Sequence, residues 1–370
     1  MSGYGKDRPA DDTPFERMRF YLREIGQGPK AARDLTREEA RDAMDLILRG
    51  EAQPSQTGGF LLVERFKGES AEELLGFADA VRARAHRIAP KAEGLLDIGS
   101  PYDGRKRNLV ISPAASIVAC AAGVPIVMHG EKDIGPKHGV PVGDVLEAMG
   151  VDVDADPAEV ERSIEEDGFG YMRSSRFVPE VFALKGIREE IALRSNLNTI
   201  EKLYNLAGAS YSLIGLTHLP YLEKMMEAVK GMGFRRFMIL QGIEGNEDAA
   251  TSRPCRVFEW SGGDVEEYRL DPKDYDLTPA SPEDLAGGDA AHSAETALAV
   301  FAGAPGPQRD LVCYNAAIRL YLAERARDIA EGMAKAREAV DSGAAKDKLE
   351  SLRARARSEG RPRGRASSAV

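Results

Sequence analysis

The stretch from Gly94 to Gly130, GLLDIGSPYDGRKRNLVISPAASIVACAAGVPIVMHG, carries the pattern that decides the fold. It begins with a short apolar run that is typical of a buried strand. It continues through a glycine-containing loop into a helix rich in small residues, and it ends in a second apolar run. Two buried strands joined through a helix form a βαβ unit, whose strands run parallel. We therefore predict an α/β domain built on a parallel sheet.

The alternation of strand and helix resumes after residues 169–208, which we interpret as mostly helical. Residues 209–245 give strand, helix and strand, and residues 254–270 predict an antiparallel hairpin that bends at a Gly-Gly pair. Two further helices are predicted over residues 291–323. From Asp328 onward, we expect one charged helix that runs into a basic tail.

Ahead of this domain, residues 15–87 show the periodicity of about four amphipathic helices. Two of these helices begin at a capping box, formed by Thr36 with Glu39 and by Ser70 with Glu73. We predict a two-domain α/β protein, in which a small all-helical domain lies beside a large α/β domain. The central sheet of the large domain should be mainly parallel and flanked by helices.

Charge is unevenly distributed along the chain. The total is −10, but residues 346–370 carry eight Lys/Arg against three Asp/Glu, a net of +5, so the remainder carries −15. An acidic body is not typical of a dedicated nucleic-acid-binding domain, although the basic tail alone could contact a polyanion. The expected parts are a loose arm over 1–14, a helical domain over 15–90 onto which 178–208 packs back, an α/β domain over 91–177 and 209–327, and a charged helix with a basic tail over 328–370.

Composition excludes several classes of protein. Cys120, Cys255 and Cys313 are scattered without CxxC spacing, so we expect buried reduced thiols rather than disulfides or a metal site. No apolar run approaches the ~18 residues of a membrane span, and the N-terminus has no apolar signal sequence. We therefore expect a cytoplasmic protein without membrane association. Nucleophile-elbow, Walker A, dinucleotide-fingerprint and zinc-protease motifs are also absent from the sequence.

The first candidate site is the loop that follows the first predicted strand. It contains Gly99, Asp103, Gly104 and, at the start of the following helix, Ser112. Backbone amides in such a loop bind phosphate, and the helix dipole favours the negative charge. The alternative interpretation is an ordinary turn between strand and helix whose charged residues are solvated.

The second candidate is the segment 128–144, MHGEKDIGPKHGVPVGD, which contains His129, Gly130, Lys137 and His138. It follows a predicted strand, and the carboxyl edge of a parallel sheet is where α/β proteins bind their ligands. The two histidines are nine residues apart and have no third soft ligand. We therefore interpret them as hydrogen-bonding loop residues rather than metal ligands.

The third candidate is the loop QGIEGNEDAATS, residues 241–252, which follows the predicted strand RFMIL. Glu244, Glu247 and Asp248 cluster there. Adjacent carboxylates suit Mg²⁺, which prefers oxygen ligands and retains water and substrate phosphates in its shell. A solvated acidic loop is the alternative. Together with the first candidate, this loop would complete a site for a diphosphate and magnesium.

Three stretches of the sequence resemble one known family: LTREEARDAMDLILRGEAQPSQTGGFLLVERFKGES, GDVLEAMG, and GGDAAHSAETALAVFAGAPGPQRDLVCYNAAIRLYLA. They resemble the anthranilate phosphoribosyltransferase family, glycosyltransferase family 3, and the likeness runs from about residue 16 to 325. The resemblance implies a small helical and a large α/β domain with the active site in the hinge between them. It also implies a homodimer formed through the helical domain, and transfer of phosphoribose from its pyrophosphate donor, PRPP, with Mg²⁺.

The resemblance also implies roles for particular residues. The donor side would comprise Gly99, Asp103, Gly104, Ser112, His129 and Gly130, the acceptor side Arg194, and the metal site Glu247 with Asp248. The match is incomplete. Pro101 and Tyr102 stand where the family has the core of a Gly-Thr-Gly-Gly-Asp loop, and Met128 replaces the lysine of its Lys-His-Gly-Asn motif.

These departures have physical consequences for a phosphate site. Proline removes an amide donor, and tyrosine prevents the close backbone approach that glycine permits. A lysine beside phosphate contributes a charge-assisted hydrogen bond of about 1.5–3 kcal/mol, which is lost here. Arg105, Arg107 and Lys137, together with Lys106, could restore positive charge with a different geometry.

We therefore predict a divergent phosphoribosyltransferase-like protein that binds a phosphorylated ribose donor with Mg²⁺, with an unknown acceptor that is not anthranilate. Whether it is catalytically active is left open by the sequence. One alternative is a non-catalytic member of the family that binds nucleic acid, with the basic tail as the contact. A second alternative is a true anthranilate phosphoribosyltransferase of tryptophan biosynthesis.

Overall fold

The computed structural model describes residues 13–28, 30–216, 219–277 and 279–358. Most of the predicted arm over 1–14, and the end of the basic tail, therefore lie outside the described residues. The N-terminal unit consists of four helices: α1 (Pro14–Gly26), α2 (Arg37–Leu48), α3 (Pro54–Lys67) and α4 (Ala71–Arg84). The capping boxes predicted for α2 and α4 are both confirmed, since each cap hydroxyl accepts from the amide three residues on.

In the described ranges, seven strands form one sheet in the spatial order β3-β2-β1-β4-β5-β6-β7. The strands are β1 (Leu96–Gly99), β2 (Ile126–Gly130), β3 (Phe169–Arg173), β4 (Tyr211–Gly215), β5 (Arg236–Leu240), β6 (Cys255–Trp260) and β7 (Glu266–Leu270). The first five strands of this order run parallel, whereas β6 pairs antiparallel with both of its neighbours, β5 and β7. The mainly parallel sheet and the hairpin are thus confirmed.

Within the part of the chain that the structure describes, twelve further α-helices surround or link these strands. They are α5 (Ser112–Ala121), α6 (Val142–Ala148), α7 (Pro157–Asp167), α8 (Ser174–Phe177), α9 (Pro179–Ala183), α10 (Lys185–Ile191), α11 (Leu197–Ile200), α12 (Leu222–Lys230), α13 (Ala290–Phe301), α14 (Pro307–Leu322), α15 (Ile329–Asp341) and α16 (Ala344–Ser358). Within the linking segment, α10 packs on α3 and α11 on α4, so the chain returns to the helical unit.

One strand was missed and one expectation was wrong. Residues 169–208 contain helices α8 to α11, as expected, but they begin with strand β3, because Gly168 ends α7 in the left-handed conformation and a strand as short as FGYMR has no distinctive period. The C-terminal segment forms two helices rather than one, since Gly343 adopts φ +83° between α15 and α16.

Apolar residues bury both faces of the sheet. Along β5, Met238 and Leu240 belong to the cluster formed with α5, α13 and α14, whereas Phe237 and Ile239 belong to the cluster formed with the helical unit. The three cysteines are buried free thiols, as expected. Across the described ranges, every helix is too short or too polar to span a bilayer.

Candidate functional site

The candidate site lies where β1 and β4 end side by side. The strand order reverses between them, and open α/β sheets bind ligands outside the carboxyl ends of the strands at such a point. Three segments meet there through side-chain contacts: the loop 100–111 after β1, the linking segment 194–205, and the loop 241–248 after β5. We refer to the space that these segments border as the cleft.

The loop after β1 is closed on itself. The amide of Gly104 donates to the carbonyl of Pro101 at 3.1 Å, and Arg105 exchanges both backbone hydrogen bonds with Val140, at 3.0 and 2.8 Å. Gly104 has φ +68°, and a Cβ there would lie 2.5 Å from the backbone of Gly139 and Val140. Only glycine fits this position. The amides of Gly104 and Arg105 are therefore used within the protein and do not point to a ligand.

Tyr102, in the loop after β1, is directed into the interior of the protein. Its side chain is buried, its hydroxyl lies 2.9 Å from Nδ1 of His129, and Nε2 of His129 lies 3.0 Å from Oδ1 of Asp97. Burial raises the pKa of Tyr102 well above its usual value, so the phenol is neutral at physiological pH. The adjoining cavity, bordered by Phe177 and Tyr204, has room for about one water molecule. His129 thus makes hydrogen bonds, as predicted, but it lies in strand β2 rather than in a loop.

Glu247 is completely buried beside this loop. Its Oε1 accepts hydrogen bonds from the hydroxyls of Ser100 and Ser112, so β1, α5 and the loop after β5 are tied together. Its Oε2 is buried without a hydrogen-bond partner among the described residues. A buried carboxylate oxygen without a partner requires an explanation, such as a bound ligand or cation.

Asp248 is also completely buried, and two arginines hold it. Its Oδ2 accepts from Nη2 of Arg105, and its Oδ1 accepts from Nη2 of Arg319 at 3.0 Å. Arg319 lies on α14 and is fully buried, while Arg105 is 3% exposed. Charge-assisted hydrogen bonds of this kind are strong, and breaking one inside a protein leaves an uncompensated charge.

The Mg²⁺ predicted at Glu247 and Asp248 does not fit this arrangement. Both oxygens of Asp248 face guanidinium groups, and only one oxygen of Glu247 is open. Within the described ranges, three or more Asp, Glu, His or Cys side chains nowhere converge as metal ligands would. A divalent cation would also lie next to two positive charges, which oppose it. Arg319, which is distant in sequence, compensates the charge of Asp248 instead.

A different anion cradle forms at the outer edge of the cleft. One oxygen of Glu244 accepts from the amides of Arg107 and Asn108 at 3.0 and 2.9 Å and from the side-chain amide of Asn108 at 2.8 Å. The ammonium of Lys137 lies 3.4 Å from its other oxygen. Burial opposes ionisation, but the hydrogen bonds of Asn108 and Arg107 hold the pKa of Glu244 at about 2. Glu244 also adopts a left-handed backbone, at φ +50°.

Two cations from the linking segment reach the cleft. Arg194 donates two hydrogen bonds to Oδ2 of Asp103, at 2.9 and 2.6 Å. Lys202 is half-buried, and its Nζ donates to the carbonyl of Gly215 at the end of β4, at 3.0 Å. A Cβ on Gly99 would lie 3.1 Å from the backbone carbonyl of Lys202, so β1 and this segment are in close contact. Burial lowers the pKa of the Lys202 ammonium to about 8.

The predicted site residues occupy three zones of this region. The structure places Gly99, Asp103, Arg105, Ser112, Arg194, Glu247 and Asp248 around the centre, Arg107 and Lys137 at the outer edge, and Gly104, His129 and Gly130 in the supporting layer. Sequence reasoning missed Lys202 and Arg319. A lone arginine in the apolar stretch CYNAAIRLYLA of α14 was a signal for Arg319, and Lys202 had none.

The chain combines a helical unit with an α/β unit whose polar cleft lies at the switch point of the sheet. Comparison with known proteins gives the family. The model of the glycosyl transferase family helical bundle domain matches residues 20–85, and that of the glycosyl transferase family a/b domain matches residues 102–346. The chain belongs to this glycosyl transferase family.

Two curated relatives are named anthranilate phosphoribosyltransferase. Anthranilate phosphoribosyltransferases of Methanocorpusculum labreanum and Solibacter usitatus are 38% and 40% identical over 321 and 325 residues, covering 86% of this chain and 93% and 94% of theirs. Anthranilate phosphoribosyltransferase of Thermus thermophilus has a solved structure with TM-score 0.81 and 30% identity, over 93% of this chain and all of that one. The Saccharomyces cerevisiae enzyme, in complex with PRPP and Mg, has the same fold, with TM-score 0.82 at 18% identity over 93% of this chain and 98% of that one.

Proposed function

We propose that this chain is a divergent phosphoribosyltransferase-like protein, cytoplasmic, that binds a phosphorylated ribose of the PRPP class in the cleft. One observation carries the proposal. Among the described residues, a group of buried polar atoms without hydrogen-bond partners lies in β1 and in the segments that border the cleft: Asp97 Oδ2 in β1, and Ser195 Oγ, both amide atoms of Asn196, Tyr204 Oη, Asn246 Nδ2 and Glu247 Oε2 in the segments. Because native proteins pair nearly all buried polar atoms, such a group indicates a polar ligand.

The charge around the cleft favours an anionic ligand. Lys106 and Arg107 are exposed at its outer edge, and Arg194 and Lys202 enter it from the linking segment. Chemistry in such a site would rest on positioning and on electrostatic stabilisation of the leaving diphosphate, without a protein nucleophile. The complex of the yeast relative with PRPP supports the choice of ligand class.

Calorimetric titration of the full-length protein with PRPP tests this proposal. We expect a dissociation constant below about 1 mM, and at least a tenfold weaker value for Lys202→Gln, because one charge-assisted contact contributes about 1.4 kcal/mol or more. Lys273→Gln, on the exposed surface of the α/β domain, is the matched control and should bind as the unmodified protein does. Absence of heat at millimolar PRPP would contradict the proposal.

A second measurement uses the titration of Lys202. Its pKa of about 8 lies below the ~10.4 of an ordinary lysine, so more of its amine is neutral at pH 8 and it should react first with trinitrobenzenesulfonate. We expect peptide mapping to show this early modification, and PRPP to suppress it.

Because the ammonium form attracts the phosphate, affinity for PRPP should fall as the pH rises through about 8. If Lys202 and exposed lysines reacted at equal rates, the pKa of Lys202 would not be lowered by burial as described.

Anthranilate is disfavoured as the acceptor. Arg194, assigned to the acceptor side from the resemblance, is bound to Asp103 and is therefore already paired with a carboxylate of the protein. The identity of 35–40% to curated anthranilate phosphoribosyltransferases favours the alternative of a true tryptophan-pathway enzyme. Changes at Pro101, Tyr102 and Met128 weigh against it, because they alter the groups that would contact the donor.

Binding of nucleic acid through residues 346–370 has less support. Part of this segment lies in α16, where Lys348, Arg353 and Arg355 are engaged on the α/β domain; Arg355 alone contacts Glu159, Glu166 and Asp167. These charges fix the helix in place. The remaining arginines after residue 358 lie outside the described residues.

We also propose that the chain forms a homodimer through the helical domain. Phe15 on α1, Phe66 on α3 and Leu193 after α10 are 47%, 78% and 44% exposed, the large apolar side chains most open to solvent among the described residues. Half-buried Leu22, Val63 and Ile187 belong to the same three elements. Apolar groups of this kind mark protein–protein contacts, and most homo-oligomers are twofold dimers.

The variant Phe66→Asp is expected to shift the protein from dimer to monomer. A charge at the centre of an apolar contact is desolvated without a partner, and hot-spot aromatic residues commonly contribute about 2 kcal/mol or more to association. Light scattering coupled to size-exclusion chromatography would give the mass, with circular dichroism to verify folding. Lys273→Asp should remain dimeric, and a dimer of unchanged stability in Phe66→Asp would exclude this interface.

A further inference from the structure

We propose that Arg105 and Arg319 are internal cations that replace a divalent metal at the Glu247–Asp248 pair, so that the cleft binds its phosphorylated ligand without a metal ion. The ligand part of this inference rests on the function proposed above, since it concerns the same cleft. The metal part rests on geometry alone. Both oxygens of Asp248 face a guanidinium group, and all three side chains are at least 97% buried.

Other hydrogen bonds fix each guanidinium in position. Arg319 donates through Nε to the hydroxyl of Ser116 at 3.1 Å and through Nη1 to the carbonyl of Asn315 at 2.9 Å. Arg105 donates through Nη1 to the carbonyl of Leu109 at 2.7 Å. Neither side chain can turn away to admit a metal without losing these bonds and leaving a buried charge unpaired. The two arginines are therefore fixed structural elements of the protein interior.

Ser112 extends the network from one carboxylate to the other. Its hydroxyl accepts from Nη2 of Arg319 at 2.8 Å and donates to Oε1 of Glu247. The two carboxylates and the two guanidinium groups sum to zero formal charge, so the cluster is neutral without a metal. A divalent ion would add two positive charges to a neutral buried cluster, where repulsion is weakly screened.

The open oxygen of Glu247 has a lysine in its electrostatic neighbourhood. Lys202 interacts favourably with the charge of Glu247, and one of its three N–H donors is bound to the carbonyl of Gly215. An ammonium in this position can receive phosphate oxygens. The geometry thus favours a phosphate ester that carries no chelated cation, because fixed positive charges already compensate the carboxylates of the cleft.

Titration with Mn²⁺ tests the metal part in the full-length protein. Electron paramagnetic resonance of free Mn²⁺ should show no stoichiometric binding at micromolar concentrations. In Arg319→Met, which approximately retains the side-chain volume and frees Oδ1 of Asp248, we expect affinity to rise at least about tenfold. Arg319→Lys keeps the charge and should not gain Mn²⁺. Micromolar binding to the unmodified protein that Asp248→Asn abolishes would overturn the proposal, and so would equal Mn²⁺ affinities of Arg319→Met and Arg319→Lys.

Titration with PRPP in excess EDTA and in Mg²⁺ tests the ligand part on the unmodified protein, so it does not depend on a variant that folds. We expect the two dissociation constants to agree within about tenfold. Binding in Mg²⁺ that disappears in EDTA would overturn the inference and leave the proposed function standing. No binding in either buffer would contradict the proposed function and with it the ligand part, while the Mn²⁺ titration would still decide the metal part.

Discussion

Asp248→Asn is expected to reduce the free energy of unfolding by about 3–5 kcal/mol, the usual loss when one partner of a buried ion pair is removed. The substitution preserves shape and removes only the charge. It leaves the guanidinium groups of Arg105 and Arg319 in the interior without the carboxylate that both contact. Urea unfolding followed by circular dichroism, with the slope checked for two-state behaviour, would give the difference.

The matched control for this prediction is Asp341→Asn. Asp341 pairs with Arg309, but its side chain is 59% exposed, and surface ion pairs contribute about 0–1 kcal/mol. Both substitutions replace a carboxylate by an amide. Any larger loss of unfolding free energy in Asp248→Asn than in Asp341→Asn is therefore due to the burial of the Asp248 ion pairs. Equal losses in the two variants would mean that the arginines are solvated and that the buried network is not present in solution.

Gly104→Ala is expected to destabilise the protein by about 3 kcal/mol or more, since two costs add. A left-handed backbone costs an alanine about 1–2 kcal/mol. In addition, the new Cβ would lie 2.5 Å from the backbone of Gly139 and Val140, and backbone cannot move aside as a flexible side chain can. The substitution should also weaken PRPP binding, because the loop that carries Asp103 and Arg105 would separate from its partner segment.

Gly208→Ala separates these two costs. Gly208 has φ +63°, close to that of Gly104, but a Cβ there would meet no atom within 4 Å. We expect it to lose only the backbone term of about 1–2 kcal/mol. Thermal and urea unfolding of both variants would measure the difference. If Gly104→Ala were no less stable than Gly208→Ala, the close contact between the loop and residues 139–140 would be absent in solution.

Local signals made much of the fold predictable. Capping boxes, the Gly-Gly bend and alternating apolar runs each report on residues that lie near one another in the chain, and all three were confirmed. Strand β3 was missed because FGYMR is too short for its period to separate strand from helix. β3 pairs with β2, which is distant in the sequence, and the local pattern of apolar residues carries no information about such a pairing.

The site was less predictable, for a physical reason. Glu247 and Asp248 are adjacent in the sequence, and adjacent carboxylates are usually interpreted as magnesium ligands. Their actual partners come from elsewhere in the chain: Arg319 is 71 residues from Asp248, and Arg105 is 143 residues away. Charge compensation depends on which side chains converge in space, and only the folded chain brings α14 and the loop after β1 to the same carboxylate.

The carboxylate of Glu244 makes ligand binding at the outer edge of the cleft an exchange reaction. The amides of Arg107 and Asn108 already hold an intramolecular anion, which is tethered by its own chain and cannot diffuse away. A phosphate that reaches those amides must displace the Glu244 carboxylate. The measured free energy of binding would then be the difference between the free energies with which the amides hold phosphate and hold Glu244. A ligand that meets only these amides gains little, whereas one that also reaches Lys202 obtains a contact for which Glu244 does not compete.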